Sequence, residues 1–284
     1  MSDKEISLSI IIPFHEDHVF LRRAVESAQE IASGAIEILC VSDQAPSIAE
    51  ARLSQLAKND SRIRICLSDA HGLSAARNTG IRRARGRYII FLDSDDTLAP
   101  RGIEEILSLL GRNPDVCFFS GSSRYQSAMG FLAFPNYFGA YRRPVRKALD
   151  VSPGTNFLSK CLKHRVWFSS ACMAVIRRSF LLEEQIRFDE GFLMEDHAFS
   201  ARLALRARSV VATPSVGYRR LVRRNSITTS GLELARLRVE GYVKASEAIL
   251  LESTRSELDE TLAHELRRYA SQLAEIADRE RRLL

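Results

Sequence analysis

Five short stretches, Ser7 to Pro13, Ile36 to Ser42, Arg62 to Leu67, Arg87 to Leu92 and Val116 to Ser120, are nearly continuous runs of Ile, Leu, Val, Phe and Cys. Strands covered on both faces have this composition. Between them apolar residues recur at helical spacing: Leu21, Ala24, Val25 and Ala28, then Ile48, Ala51 and Leu56, then Leu73, Ala76, Gly80, Ile81 and Ala84. The alternation predicts an α/β fold, an open and mainly parallel sheet with helices on both faces, whose ligands bind beyond the carboxyl ends of the strands. Polar residues stand at each of those ends: His15, Glu16 and Asp17 after the first run, Ser42 and Asp43 after the second, and Asp93, Ser94, Asp95 and Asp96 after the fourth.

Beyond Ser120 the pattern loosens into an aromatic and basic stretch, Tyr125 to Arg165. A strand is expected at Met173 to Arg177, a helix beginning near Glu195, and a loop from Gly217 to Thr229. After Leu232, the positions Leu258, Leu262, Leu266, Tyr269, Leu273 and Ile276 recur every three or four residues and predict one or two amphipathic helices.

Composition narrows the class. With 284 residues, 45% hydrophobic and 27% charged, the chain can bury about three quarters of its extended surface and needs no crosslink to fold. No window approaches the roughly 20 uncharged apolar residues of a membrane span, and Met1 to Glu5 carries charges where a signal peptide would be apolar. Cys40, Cys66, Cys117, Cys161 and Cys172 are odd in number and widely spaced, as buried thiols in a reducing cytoplasm would be. The formal charge of +6 favours an anionic partner: nucleotide, phosphate, anionic lipid or nucleic acid.

Three carboxylates within four residues, at the point where a buried strand emerges, repel one another unless a cation or protons neutralise them. A hard divalent ion, Mg²⁺ or Mn²⁺, held by one or two carboxylates and shared with substrate phosphates, meets that need. The competing reading is an Asp-rich turn in which Asp96 caps the helix entered at Pro100.

Taken in order, Ser9-Ile10-Ile11-Ile12-Pro13-Phe14, Glu37 to Asp43, Gly72-Leu73-Ser74-Ala75-Ala76-Arg77-Asn78-Thr79-Gly80, Asp93-Ser94-Asp95, Phe188-Asp189-Glu190, Glu195-Asp196, Tyr218-Arg219 and Ser226-Ile227-Thr228 resemble the family 2 glycosyltransferases of the GT-A fold. The resemblance covers roughly residues 7–230. It implies a catalytic domain over 1–230, with a nucleotide-sugar half at 1–98 and an acceptor half at 99–230, followed by amphipathic helices at 231–284. It implies a nucleotide-sugar donor lying against Pro13, Phe14, His15, Glu16, Asp43, Arg77, Asp93, Ser94, Asp95 and Arg219, with Asp93 and Asp95 on the metal. Asp196 would be the base of an inverting transfer and Glu195 its support; a helix first turn enriched in acids is the plainer alternative for that pair. The implied acceptor is a saccharide or lipid-linked saccharide of surface-polysaccharide assembly, and the implied place is cytoplasmic, at most peripheral on the inner face of the cell membrane.

Departures from the family pattern are His15-Glu16 where Tyr-Asn is usual, Ser42-Asp43-Gln44-Ala45 where Asp-Asp-Gly-Ser is usual, and no Gln-x-x-Arg-Trp motif of processive synthases. Seven arginines and no acid lie between Arg202 and Arg224; with the basic zone Arg142 to Arg165 they raise the question of contact with an anionic acceptor or membrane surface. The late amphipathic helices suit a dimer, a membrane surface or a partner. Two rival functions remain in view. Leu92-Asp93-Ser94-Asp95-Asp96-Thr97-Leu98 also resembles the first motif of haloacid-dehalogenase-type phosphatases, with Asp93 as nucleophile and Asp95 as general acid, although three strands precede it here and that motif follows the first. A basic, non-enzymatic scaffold accounts for the net charge but not for rim carboxylates, which repel the phosphates of a nucleic acid. No Walker A loop and no Gly-x-Gly-x-x-Gly follows any strand.

Overall fold

The computed structural model describes residues 7–15, 18–32, 35–44, 47–133, 141–143, 145–223, 234–282 and 284. The first half runs β1 (Leu8–Phe14), α1 (His18–Gln29), β2 (Ile36–Ser42), α2 (Ser47–Asn59), β3 (Ile63–Leu67), α3 (Leu73–Arg83), β4 (Tyr88–Phe91), β5 (Thr97–Leu98) and α4 (Pro100–Leu109). The second half runs β6 (Val116–Tyr125), α5 (Ala128–Ala133), α6 (Gly154–Lys163), β7 (Ala174–Arg177), α7 (Arg178–Glu183), α8 (Asp196–Arg206), β8 (Val210–Val222), α9 (Ala235–Glu252) and α10 (Glu260–Arg281).

Among the described residues the strands form one sheet in the order β3-β2-β1-β4-β7-β6-β8-β5. β1 lies parallel to β2 and β4, and β2 parallel to β3. Every residue of β1, β2 and β4 is buried, which explains their unbroken apolar runs. β7 is the antiparallel insert between β4 and β6, and it joins two parallel groups into a mixed sheet. Its antiparallel direction brings the chain that follows it, through Phe188, back to the carboxyl end of β4. There Phe188 stacks on Phe199 of α8 with centroids 3.8 Å apart, and both meet Phe91 edge-on.

Three expectations are corrected. The run at Val116 continues to Tyr125 rather than stopping at Ser120. Gly217 to Val222, expected as a loop, is the second half of β8, paired with β6 on one side and β5 on the other; it lacks an apolar run because Arg219 and Arg220 interrupt its buried residues. The remainder of that expected loop, 224–229, with Ser226, Ile227 and Thr228, lies outside the described residues. On α2 the buried positions are Ala49 and Leu53, while Ala51 is exposed.

The amphipathic tail forms two helices, α9 and α10, which pack on each other and on α8 and α6. Asp259 accepts the amide hydrogen of Leu262 at 2.7 Å and caps α10. Buried Glu252 ties the end of α9 to α8 through Arg202 at 3.0 Å and Arg206 at 3.4 Å. All five cysteines are free thiols, Cys66 half-buried and the others buried. Among the described residues no helix is long and apolar enough to cross a membrane.

Gly241 sets how closely α9 approaches the loop before α8, because a Cβ there would stand 2.2 Å from the carbonyl oxygen of Leu193. Backbone cannot yield as a side-chain end can. Gly241→Ala is therefore expected to lower stability by about 1–3 kcal/mol despite the better helix propensity of alanine, as read by urea denaturation.

Candidate functional site

The carboxyl ends of β1, β2 and β4, the start of α8 and the far half of β8 surround a cleft of about 740 Å³. Its floor is Arg77, from the first turns of α3, with a side chain only 2% exposed. One guanidinium nitrogen donates to Glu195 Oε1 at 2.6 Å and to Asp196 Oδ1 at 3.1 Å, and the other to Asp93 Oδ1 at 2.8 Å. The Phe188 ring lies against the cation, 5.1 Å from its centre. Burial pulls the guanidinium down, but Asp196, Asp93 and Glu195 together hold it well above its ordinary value, so the positive charge is permanent. The next residue, Asn78, donates to the Phe188 carbonyl at 3.0 Å and accepts the Phe188 amide hydrogen at 2.9 Å. Together Arg77 and Asn78 fasten α3 and the tip of β4 to the segment that presents Glu195 and Asp196.

The acidic tip has two kinds of members. Asp96 is buried and accepts from the Tyr218 hydroxyl and the Leu221 amide, each at 2.6 Å. It locks β8 to the end of β4 and does not cap α4, whose N-cap, Ala99, has no side-chain bond. Burial, then Asp95 and Asp93, push Asp96 well above the usual carboxylate range. Asp93 and Asp95 face the cleft, with side chains 35% and 23% exposed. Asp95 accepts from Arg223 Nε at 3.0 Å, yet burial and neighbouring Asp93 still raise it above its ordinary value. Six carboxyl groups and three guanidinium groups line the cleft, and the raised proton affinity of Asp96 and Glu195 lessens the negative charge that the count alone implies.

On the opposite wall burial pushes Glu195 up to about 7, with Arg77 opposing and Asp196 adding. Asp196 is also raised by burial, against the pull of Arg77; its side chain is 26% exposed where that of Glu195 is 8% exposed. Thus Asp196 presents its carboxyl to the cleft and Glu195 stands behind it.

Of the residues anticipated from sequence, Pro13, Phe14, His15, Asp43, Arg77, Asp93, Ser94, Asp95, Glu195 and Asp196 all line this cleft. At its β2 end His15 Nδ1 donates to the Asp43 carbonyl at 2.5 Å, and the Asp43 carboxylate accepts the Gly72 amide hydrogen at 2.9 Å. Glu16 lies outside the described residues. Arg219 is exposed and is not brought to the cleft; its neighbours Tyr218 and Arg220 are. Strand alternation from the buried Tyr218 would have pointed to Arg220. Sequence reasoning also missed Arg223, Ser169, His197 and Tyr242. The Tyr269 hydroxyl of α10 bonds His197 Nδ1 at 2.6 Å and Ser169 Oγ at 2.7 Å, and burial pushes His197 down to about 4, so it stays neutral. No spacing in the sequence distinguishes Tyr242 or Tyr269 from core aromatics.

Among the described residues no three His, Cys, Asp or Glu side chains form a cage for a metal. The donor set fits a different kind of site. Asp93 and Asp95 engage their arginines through one oxygen each, Oδ1 and Oδ2, and a magnesium-type ion takes one or two carboxylates with the rest from phosphate and water.

Residues 9–183 match the glycosyl transferase family 2, and the chain belongs to that family. It is 28% identical over 222 residues to EpsH, named as a glycosyltransferase in Bacillus subtilis; the match takes in 75% of this chain and 60% of EpsH. It is 27% identical over 259 residues to the succinoglycan biosynthesis protein ExoO of Rhizobium meliloti, covering 87% of this chain and 69% of ExoO. Its fold is that of Staphylococcus aureus TarS, whose structure contains UDP-GlcNAc: the TM-score is 0.71 at 15% identity, over 97% of this chain and 72% of that one. The sheet and C-terminal helices are thus those of a GT-A-like fold.

The pH dependence of stability follows from Glu195. Its folded value of about 7 lies above the ordinary 4.5, so the folded state binds this proton more tightly than the unfolded chain. The stabilisation is complete below about 4.5 and is lost as pH rises through about 7. Denaturant titrations between pH 5 and 8 should show this decline, and Glu195→Gln should flatten it.

Proposed function

We propose that the protein is an inverting glycosyltransferase that moves one sugar from a nucleoside-diphosphate sugar to a saccharide or lipid-linked acceptor in polysaccharide biosynthesis. The observation that carries this is the Arg77 bridge. It holds Asp93, with Asp95 beside it in the same cleft, across from Asp196, a carboxylate with a raised affinity for protons. The fold shared with TarS, which binds UDP-GlcNAc, supports a nucleotide-sugar donor as a class, and the name of ExoO supports the polysaccharide setting.

In this reading the nucleoside lies at the β2 end, against His15 and Asp43, and the diphosphate reaches Asp93, Ser94 and Asp95. Asp93 and Asp95 would hold Mn²⁺ or Mg²⁺, which neutralises the charge of a departing diphosphate. Arg220 and Arg223 flank the same place and suit phosphate oxygens. The acceptor enters on the side of His197, Tyr242 and Ser169. Its hydroxyl oxygen forms the new bond to the anomeric carbon as the bond to the phosphate oxygen breaks; the electron pair leaves with the diphosphate. Asp196 takes the hydroxyl proton. A base needs a proton affinity near its working range, and burial supplies part of it by raising Asp196. Arg77 and Glu195 fix the direction of that carboxylate. An acceptor delivered from a membrane surface fits the exposed Phe131 and Leu132 of α5 beside exposed Arg124, Arg142 and Arg146.

Thermal-shift titration with nucleoside diphosphates should show stabilisation that requires Mn²⁺ or Mg²⁺ and disappears in Asp95→Asn. Asp196→Asn should retain donor binding while transfer to added acceptor falls by roughly 10²–10⁴-fold. Unchanged turnover in that variant removes Asp196 from the base role, and hydrolysis of a generic aryl phosphate abolished by Asp93→Asn would favour a phosphatase instead.

A further inference from the structure

β4 has two functional ends. Its carboxyl end delivers Asp93 to the cleft; its amino end, about 13 Å away along four extended residues, opens on a second and separate depression of about 360 Å³ lined by Arg85, Gly86, Arg87, Asn113, Arg177, Arg178 and Ser179. Four of its seven lining residues are arginines. Arg177 is neutralised by buried Asp115 and also holds the Ser179 hydroxyl at 2.6 Å. Arg85, Arg87 and Arg178 make no ion pair with a carboxylate among the described residues. Arg87 instead donates to the side-chain carbonyl of Asn113 at 2.9 Å and lies over the Tyr88 ring, 5.8 Å from its centre. Arg178 reaches only backbone carbonyls, those of Ile81 and Arg82, at 3.4 and 3.5 Å.

Like charges gathered this closely on unrelated side chains cost free energy, and the backbone holds them there. The Arg85 amide donates to Glu37 at 2.5 Å and the Gly86 amide to Ser9 Oγ at 2.8 Å. Gly86 is wedged against β1, where a Cβ would stand 2.6 Å from the Ser9 nitrogen. The Arg178 amide donates to the Arg87 carbonyl at 2.8 Å across the β4–β7 seam. Asn113 occupies left-handed backbone, φ 51°, and its side-chain carbonyl is taken by Arg87, which leaves its NH₂ group as a donor. Arginine side chains, an amide NH₂ and a hydroxyl lining one concave place, with the backbone beneath them fixed, suit the oxygens of a tetrahedral dianion.

We propose that this depression is a binding site for a phosphate dianion, free or as a phosphate ester, distinct from the cleft. The proposal stands independently of the transferase reading, because neither its residues nor its test involves the sugar-transfer reaction.

The test uses the full chain and isothermal titration calorimetry with inorganic phosphate. Binding should weaken about tenfold or more in Arg87→Ala/Arg178→Ala, and Arg281→Ala, at an exposed position of α10 that lines neither depression, should leave it unchanged. Both pocket side chains reach the surface, so the melting temperature of the double variant should match that of the parent. Arg87→Lys/Arg178→Lys keeps the charge without the planar fork and should also bind more weakly. Absence of phosphate binding by the parent, equal affinity in the alanine or lysine variant, or loss in Arg281→Ala would each overturn the site. Sedimentation with vesicles containing phosphatidic acid, a phosphomonoester lipid, identifies the source: vesicle binding lost in the alanine variant makes the dianion a lipid headgroup, whereas phosphate binding without vesicle binding makes it a free phosphate or soluble ester.

Discussion

A guanidinium cannot shed its charge in a protein, so burying Arg77 obliges the fold to supply acceptors for it. Three separate pieces of chain do so: the tip of β4 with Asp93, the turn before α8 with Glu195, and the first residue of α8 with Asp196. One cation does not balance three carboxylates. The surplus falls on Asp93 and Asp196, the two acids that open on the cleft, while Glu195 is enclosed. The interaction that assembles the site therefore also leaves it short of positive charge on one wall and in want of a proton on the other. Those are the two deficits that a diphosphate with its counter-ion and an acceptor hydroxyl can supply.

The same economy explains why three aspartates stand together after β4. Only two are available to a ligand. The third, Asp96, is used within the protein, where it receives Tyr218 and Leu221 and so joins the end of β4 to the strand that carries Arg220 and leads into Arg223. Tyr218 accepts from the Asp93 amide at 3.3 Å as well, so one phenol spans both kinds of aspartate. Position along the tip decides role: the outer acids face the cleft, and the inner one fixes where they point.

Much of this was legible in the sequence because β1, β2 and β4 are covered on both faces and must be apolar throughout, so their ends were marked by the first polar residues. Asp93 to Asp96 stood at such an end, whereas Glu195-Asp196, at the start of α8, were marked only by the resemblance to the family. β8 escaped because it is the strand that borders the cleft, and a strand with a wet face does not show the run that betrays a buried one. Choosing Arg219 over Arg220 had the same origin, since alternation is informative only once the segment is known to be a strand. Asp96 could not be told from a helix cap without knowing that Leu221 returns to it from 125 residues away. Tyr269 obeys helical spacing and looks like any packed aromatic, because its hydroxyl meets partners, Ser169 and His197, that are remote in sequence.

The Tyr269 hydroxyl, bonded to both Ser169 and His197, makes the cleft depend on a helix that does not itself line it. A substitution that displaces α10 would therefore be felt at two cleft-lining side chains at once, one in the loop before β7 and one in the first turn of α8.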